Sequence, residues 1–102
     1  MTVYYMPSIT PTGYDEIKTI CGDRMPMTFG EWRNTQENER RAHLYDGDIV
    51  LPVAISVSDF REYCKTTKYR PEPALLANLS LSLATQRKIE YPHTPTGSVP
   101  QL

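Results

Sequence analysis

The chain has 102 residues, of which 39% are hydrophobic and 23% charged, and its formal net charge is −1. This length allows one small domain with a single core. The near-neutral charge argues against a protein held to nucleic acid or an anionic membrane by bulk electrostatics. No apolar run approaches the ~20 residues of a membrane-spanning helix.

No basic region followed by an apolar run opens the sequence, so we expect no signal peptide and a cytoplasmic location. In that compartment Cys21 and Cys64 are expected to be reduced thiols packed in the core. A disulfide between them is the less favoured alternative.

The chain begins with signals for a strand and a short helix. Residues 3–6 are β-branched and aromatic up to Pro7, which is typical of a strand. After a loop, apolar residues at helical spacing predict a helix. Its predicted start is Thr12, with Asp15 completing a capping box, and its predicted end lies before Gly22.

Two later segments share one helix-start pattern: an apolar residue, a hydroxyl, two spacers, an acid and an aromatic. They are residues 27–32 and 55–60. The hydroxyls of Thr28 and Ser56 are the predicted N-caps, and Glu31 and Asp59 close the two capping boxes. The pattern therefore predicts helices that begin at these two points.

The helix that begins at Thr28 has an unusual body, because residues 33–41 contain no apolar side chain. A helix that is polar all round is solvated, frayed or covered by a partner. The simpler interpretation is a solvated surface helix with Trp32 in the core. The functional interpretation is a recognition surface in which an exposed Trp32 would be an anchor, since Trp and Arg dominate interface energetics. The candidate protein-binding residues are Trp32, Arg33, Gln36, Glu37, Arg40 and Arg41.

The middle of the chain predicts a turn followed by a strand. Residues 46–47 are a two-residue turn signal, and residues 49–55 are rich in β-branched side chains. Pro52 lacks an amide donor and is therefore expected at an edge or bulge. The predicted partner strand is residues 3–6, and residues 44–45 are a candidate third strand. So small a sheet needs helices packed against it.

The second half of the chain predicts two further helices. After Ser56, apolar residues at helical spacing form one face, and prolines at positions 71 and 73 then break the chain. A leucine stripe predicts the fourth helix, although residues 79–83 alternate Leu and Ser and leave a strand as the alternative. Residues 91–102 hold three prolines and a glycine and are predicted to form a flexible tail.

Two groups of residues are candidates for a metal site or a catalytic site. His43, Asp46 and Asp48 surround the turn as in a metal-binding loop, but the closing glutamate of a calcium loop and further zinc ligands are missing. Local bonding of the aspartates to amides is the favoured interpretation. Cys64 and the distant His93 could supply a nucleophile and a base, yet a mid-helix thiol is more typical of a core.

The densest basic patch follows the third helix start and is interleaved with tyrosines. Its members are Arg61, Lys65, Lys68 and Arg70. Such a patch before a turn and another helix could contact phosphates as the edge of a helix-turn-helix. The simpler interpretation is a cationic last turn that complements the helix dipole.

Together these features predict a mostly helical α+β domain over residues 1–90, with about four short helices and a sheet of two or three strands. An all-α bundle is the alternative fold. We expect a small non-enzymatic protein that binds another protein, with a homodimer as one form of this. A nucleic-acid-binding regulator that uses the basic patch is the second hypothesis. An enzyme with Cys64 or His43 in its site is the third, and no catalytic, cofactor-binding or metal-binding residue is predicted.

Overall fold

Two strands run parallel in the computed structural model, which describes residues 2–89. β1 (Val3–Ser8) pairs with β2 (Ile49–Ala54) in a two-stranded sheet, with Val3 opposite Ile49 and Ser8 opposite Ala54. Four α-helices surround this sheet. The predicted α+β domain with a small sheet is confirmed, and the all-α alternative is wrong. The predicted tail at residues 91–102 lies outside the described residues.

Each strand contains a proline, and the hydrogen-bond ladder explains why neither proline breaks the pairing. The Ile55 amide donates to the Ser8 carbonyl. Since successive residues of a strand point in opposite directions, odd-numbered amides of β2 and even-numbered amides of β1 face the partner strand. Pro7 and Pro52 therefore occupy positions whose amide would point away from the ladder. For this reason β1 continues through Pro7 to Ser8, beyond the predicted end at residue 6.

Two helices form the crossover that parallel strands require. The first is α1 (Pro11–Cys21), and its N-cap is Thr10 rather than the predicted Thr12. The Thr10 hydroxyl accepts a hydrogen bond from the Gly13 amide at 3.0 Å. Proline is favoured at the first helical position because it lacks a donor there, so Pro11 moves the start two residues earlier. As predicted, α1 ends before Gly22, which has a φ of 62°.

A 3-10 turn (Gly22–Arg24) leads to the longest helix, α2 (Phe29–Tyr45). Its predicted capping box is confirmed: the Thr28 hydroxyl accepts from the Glu31 amide, and the Glu31 carboxylate accepts from the Thr28 amide. The candidate third strand at residues 44–45 is wrong, because these residues are the last of α2. A hairpin is excluded here since β2 pairs with β1, so the turn at 46–47 joins a helix to a strand instead.

The remaining helices are α3 (Val57–Thr67) and α4 (Leu75–Arg87). Ser56 and Asp59 form the second predicted capping box, with both hydrogen bonds present. Residues 79–83 lie within α4, so the helical interpretation of this segment is confirmed. None of the helices within residues 2–89 combines the length and the hydrophobicity of a membrane-spanning segment.

The core lies on the odd-numbered face of the sheet. Val53 projects from that face into a cluster with Tyr14 and Ile17 of α1, Phe60 of α3 and the leucines of α4. The even-numbered face is directed towards α2. Trp32 in the first turn of α2 joins the main core, whereas the polar turns that follow lie on the other side of the sheet. This arrangement positions the candidate site.

We predict that Thr28→Ala and Ser56→Ala each lower the free energy of unfolding by about 1 kcal/mol, because each removes the acceptor for an N3 amide. Urea denaturation followed by circular dichroism measures this change. Ser58→Ala is the matched control, since Ser58 is an exposed hydroxyl in the first turn of α3. Equal losses in Ser56→Ala and Ser58→Ala would contradict the capping assignment.

Candidate functional site

A groove of about 370 Å³ lies between α2 and the even-numbered face of the sheet. Its floor is apolar and includes Met6 and Pro52, which face each other across the two strands. Phe29 and Trp32 of α2 form one wall. Four of the six candidate protein-binding residues line this groove, namely Trp32, Arg33, Gln36 and Glu37.

An aromatic cluster fixes the first turns of α2 beside the groove. The Tyr14 ring lies 5.6 Å from Phe29 and 5.3 Å from Trp32, measured between centroids. The Tyr14 hydroxyl also donates to the Met27 carbonyl at 2.6 Å. Trp32 is only 6% exposed, so the simpler interpretation of this residue is the correct one. It holds the helix in place and forms the groove wall, and it is not an exposed anchor.

The polar rim of the groove contains an unpaired acceptor. The side-chain oxygen Oε1 of Gln36 is buried and has no hydrogen-bond partner among residues 2–89. Buried polar atoms of this kind are rare, because leaving one unpaired costs about 1–3 kcal/mol. Arg33 lies beside it, exposed and without an ion pair in the described part of the chain. The rim therefore holds a buried acceptor that lacks a partner and an exposed cation.

Glu37 binds Arg40 and Arg41, the two remaining candidate protein-binding residues. Its carboxylate accepts two hydrogen bonds from Arg40, at 2.9 and 2.7 Å, and one from Arg41 at 3.1 Å. These bonds lower the pKa of Glu37 from 4.5 to about 2, and the hydrogen bonds from Arg40 have the largest effect. Arg41 lies four residues after Glu37, a favourable helical spacing for an ion pair, and the bidentate bond to Arg40 is the stronger of the two contacts.

A second cluster fixes the carboxyl end of α2 to the sheet. The His43 ring stacks on Tyr4 with centroids 4.0 Å apart, and Nδ1 of His43 lies 2.9 Å from a carboxylate oxygen of Asp48. The Tyr4 hydroxyl donates to Glu39 at 3.1 Å. The hydrogen bond from His43 lowers the pKa of Asp48. These contacts join the carboxyl end of α2 to β1 and to the residue that precedes β2.

The metal and enzyme hypotheses gain no support from the geometry. Residues 2–89 hold no group of three or more His, Cys, Asp or Glu side chains able to bind a metal ion. His43 does not line the groove beside α2. Both cysteines are free; burial raises the pKa of Cys21 to about 11 and also raises that of Cys64. The candidate base His93 lies outside the described residues.

The basic patch forms an open cationic face on α3. Arg61 and Lys65 are four residues apart, so they share one side of α3, and Lys68 follows as the C-cap of the helix, with a φ of 61°. All three are exposed. Arg70 lies exposed in the following loop, next to Tyr69, which is 54% exposed. None of these four cations forms an ion pair within residues 2–89.

A larger and shallower depression of about 690 Å³ lies where both strands end, between the first turns of α1 and α3. Paired helix starts can attract anions, but this place already holds a carboxylate. Asp59 caps α3 and accepts from Arg87 at 3.1 Å. The hydroxyls of Thr10 and Ser56 also accept hydrogen bonds from amides at the two helix starts, so these amides are not free to bind an anion. The depression is therefore a poorer candidate site than the groove beside α2.

Comparisons with protein-family models, with curated proteins and with solved structures found no match to this chain. The assignment of a site therefore depends on the geometry alone. Sequence reasoning found the helical wall and rim, because they follow from helical spacing. It missed the floor, since the contribution of Met6 and Pro52 depends on how the sheet is paired.

We predict that Glu37→Gln destabilises the fold at neutral pH and that this difference disappears under acid. Because the folded pKa is the lower one, pairing with Arg40 and Arg41 stabilises the fold above pH 4.5. That stabilisation is lost as the pH falls from 4.5 through about 2. The exposed pair is screened, so 1 M salt should also shrink the difference.

Urea denaturation of both proteins between pH 7 and pH 2 measures this effect. Glu16→Gln is the control, because the Glu16 side chain has no hydrogen bond within residues 2–89. A Glu37→Gln protein with the same pH dependence as the wild type would disprove the assigned pairing.

Proposed function

We propose that the protein is a small non-enzymatic binding protein of the cytoplasm, and that it binds another protein chain in the groove beside α2. The partner element is an aliphatic side chain next to a hydrogen-bond donor. The aliphatic group would lie on Met6 and Pro52, and the Gln36 side chain would turn outwards so that its Oε1 accepts from the donor. The observation that carries this proposal is the buried, unpaired Oε1 of Gln36 at the rim of an apolar groove.

The chemistry of the groove favours a protein over other ligands. Its floor and wall are apolar, while the rim carries a cation, an amide and a carboxylate. An apolar centre with a polar rim is the usual construction of a protein interface. Arg33 would contribute at the edge of the groove, and Arg is enriched in protein interfaces relative to other surfaces.

The sheet edges favour docking by side chains over addition of a strand. Pro7 and Pro52 remove one amide donor from the outer edge of β1 and of β2 respectively. A partner strand that paired with either edge would lose a ladder hydrogen bond at that point. A partner is therefore expected to enter the groove with its side chains.

A photo-crosslinking residue in place of Arg33 tests this proposal in cells of the native host. We expect it to form protein adducts that the same group at position 77 does not form, because Ala77 is exposed on α4 away from the groove. Capture alone is not sufficient, so the captured chain is identified and purified. Its affinity is then measured through Trp32, which is the single tryptophan.

Three variants test whether the captured protein binds in the groove. Arg33→Glu should weaken binding about tenfold, whereas Asn34→Glu, one position further round the helix, should leave it unchanged. Gln36→Met should weaken binding yet leave the fold equally or more stable, because it removes an unpaired buried acceptor. Equal effects of Arg33→Glu and Asn34→Glu, or adducts that are the same at both positions, would contradict the proposal.

A second candidate function is nucleic-acid binding by the basic patch on α3. Its support is that Arg61 and Lys65 share one face of α3 and Lys68 follows at its C-cap, near the exposed ring of Tyr69. None of the three cations forms an ion pair within residues 2–89. Four phosphate contacts would give a slope of about −3.6 in a plot of log affinity against log salt. A gel shift at low salt that is lost in the Lys65→Glu/Lys68→Glu double variant would support this function. No shift, or one that this variant retains, would exclude it.

A further inference from the structure

We propose that the chain which covers the polar rim of the groove is a second copy of this protein, bound through an antiparallel pairing of the two α2 helices. This inference rests on the proposed function, since it uses the rim of the same groove and names the chain that covers it. The twofold axis passes between Asn38 and Glu39 of each helix. Such an interface is isologous, so each copy contributes the same residues to both halves.

The spacing along α2 supports this pairing. Arg33, Glu37, Arg40 and Leu44 are separated by four, three and four residues, which is the spacing of a helix–helix seam. Arg33 and Leu44 are eleven residues apart, or about three turns, so they lie on the same side of the helix. The seam borders the groove, because Arg33 and Glu37 also line it.

Leu44 is the apolar residue that this arrangement would bury. Its side chain is 46% exposed at the carboxyl end of α2, and Leu44 and Arg33 are equally far from the proposed axis. In an antiparallel pair, Leu44 of one copy therefore lies against Arg33 of the other, at the rim beside Trp32. The alkyl stem of Arg33 can cover the leucine while its charged group remains in water.

The charges at the centre of the seam are complementary under the same register. Glu37 and Arg40 are also equally far from the axis, so Glu37 of each copy faces Arg40 of the other. Within one chain this carboxylate already binds Arg40 and Arg41 at 2.7–3.1 Å. Dimerisation would join the cluster around Glu37 in each copy into one network of charges across the twofold axis. Such charges fix the register and orientation of an interface more than its affinity.

Sedimentation equilibrium and light scattering on the full chain test the inference. The wild type should reach twice its mass of 11.7 kDa with rising concentration. Leu44→Glu should be monomeric. Leu81→Glu is the matched control, because Leu81 is 56% exposed on α4, and this variant should dimerise like the wild type.

Charge reversal tests the register itself. E37R and R40E each place like charges opposite one another, so each should raise the dimer dissociation constant about 100-fold. In an equal mixture of the two, both central pairs have opposite charges, and native mass spectrometry should show the heterodimer. A merely structural role of these residues predicts no such rescue, and circular dichroism confirms that each variant is folded.

A wild type that stays monomeric up to about 1 mM would overturn the inference. Equal dimerisation of Leu44→Glu and Leu81→Glu, or a mixture that forms no heterodimer, would overturn it as well. These outcomes are distinct from failure of the proposed function. If the chain is monomeric but the crosslinker at position 33 finds another protein, the groove is a binding site and only its occupant is wrong.

Discussion

The parallel, in-register pairing of β1 with β2 determines how the helices are arranged. Strands that run in the same direction cannot be joined by a hairpin, so α1 and α2 must carry the chain back to the start of the sheet. The pairing also gives the small sheet two different faces. The odd-numbered face is covered by the main core, and the even-numbered face is left to α2, a helix with few apolar residues to contribute.

The consequence is a helix held at its two ends and open along its middle. Tyr14, Phe29 and Trp32 pack around its first turns, and His43 is stacked and hydrogen bonded at its last turns. Between these clusters, the polar side chains need no core contact of their own. The groove exists because the aromatic cluster sets α2 beside the sheet, while the polar residues that follow cannot fill the space. The proposed function therefore follows from how the helix is anchored.

The parts of the fold that depend on neighbouring residues are predictable from sequence. The capping boxes at Thr28 and Ser56 are local hydrogen bonds, and both are present as predicted. Thr12 was the wrong cap because Pro11, one position earlier, already supplies a favourable helix start. Residues 44–45 resemble a strand locally, and only the distant pairing of β2 with β1 excludes it. For the same reason the helical rim of the groove was predictable, whereas its floor on the sheet was not.

Because its two ends are fixed, α2 presents a preformed polar surface. Amide hydrogen exchange of the isolated protein, resolved residue by residue, measures how firmly this surface is held. We expect the amides of residues 34–42 to exchange far more slowly than in an unfolded peptide, at rates close to those of the buried amides of α3. Exchange of residues 34–42 at the unfolded rate, with α3 still protected, would show that the surface is not preformed.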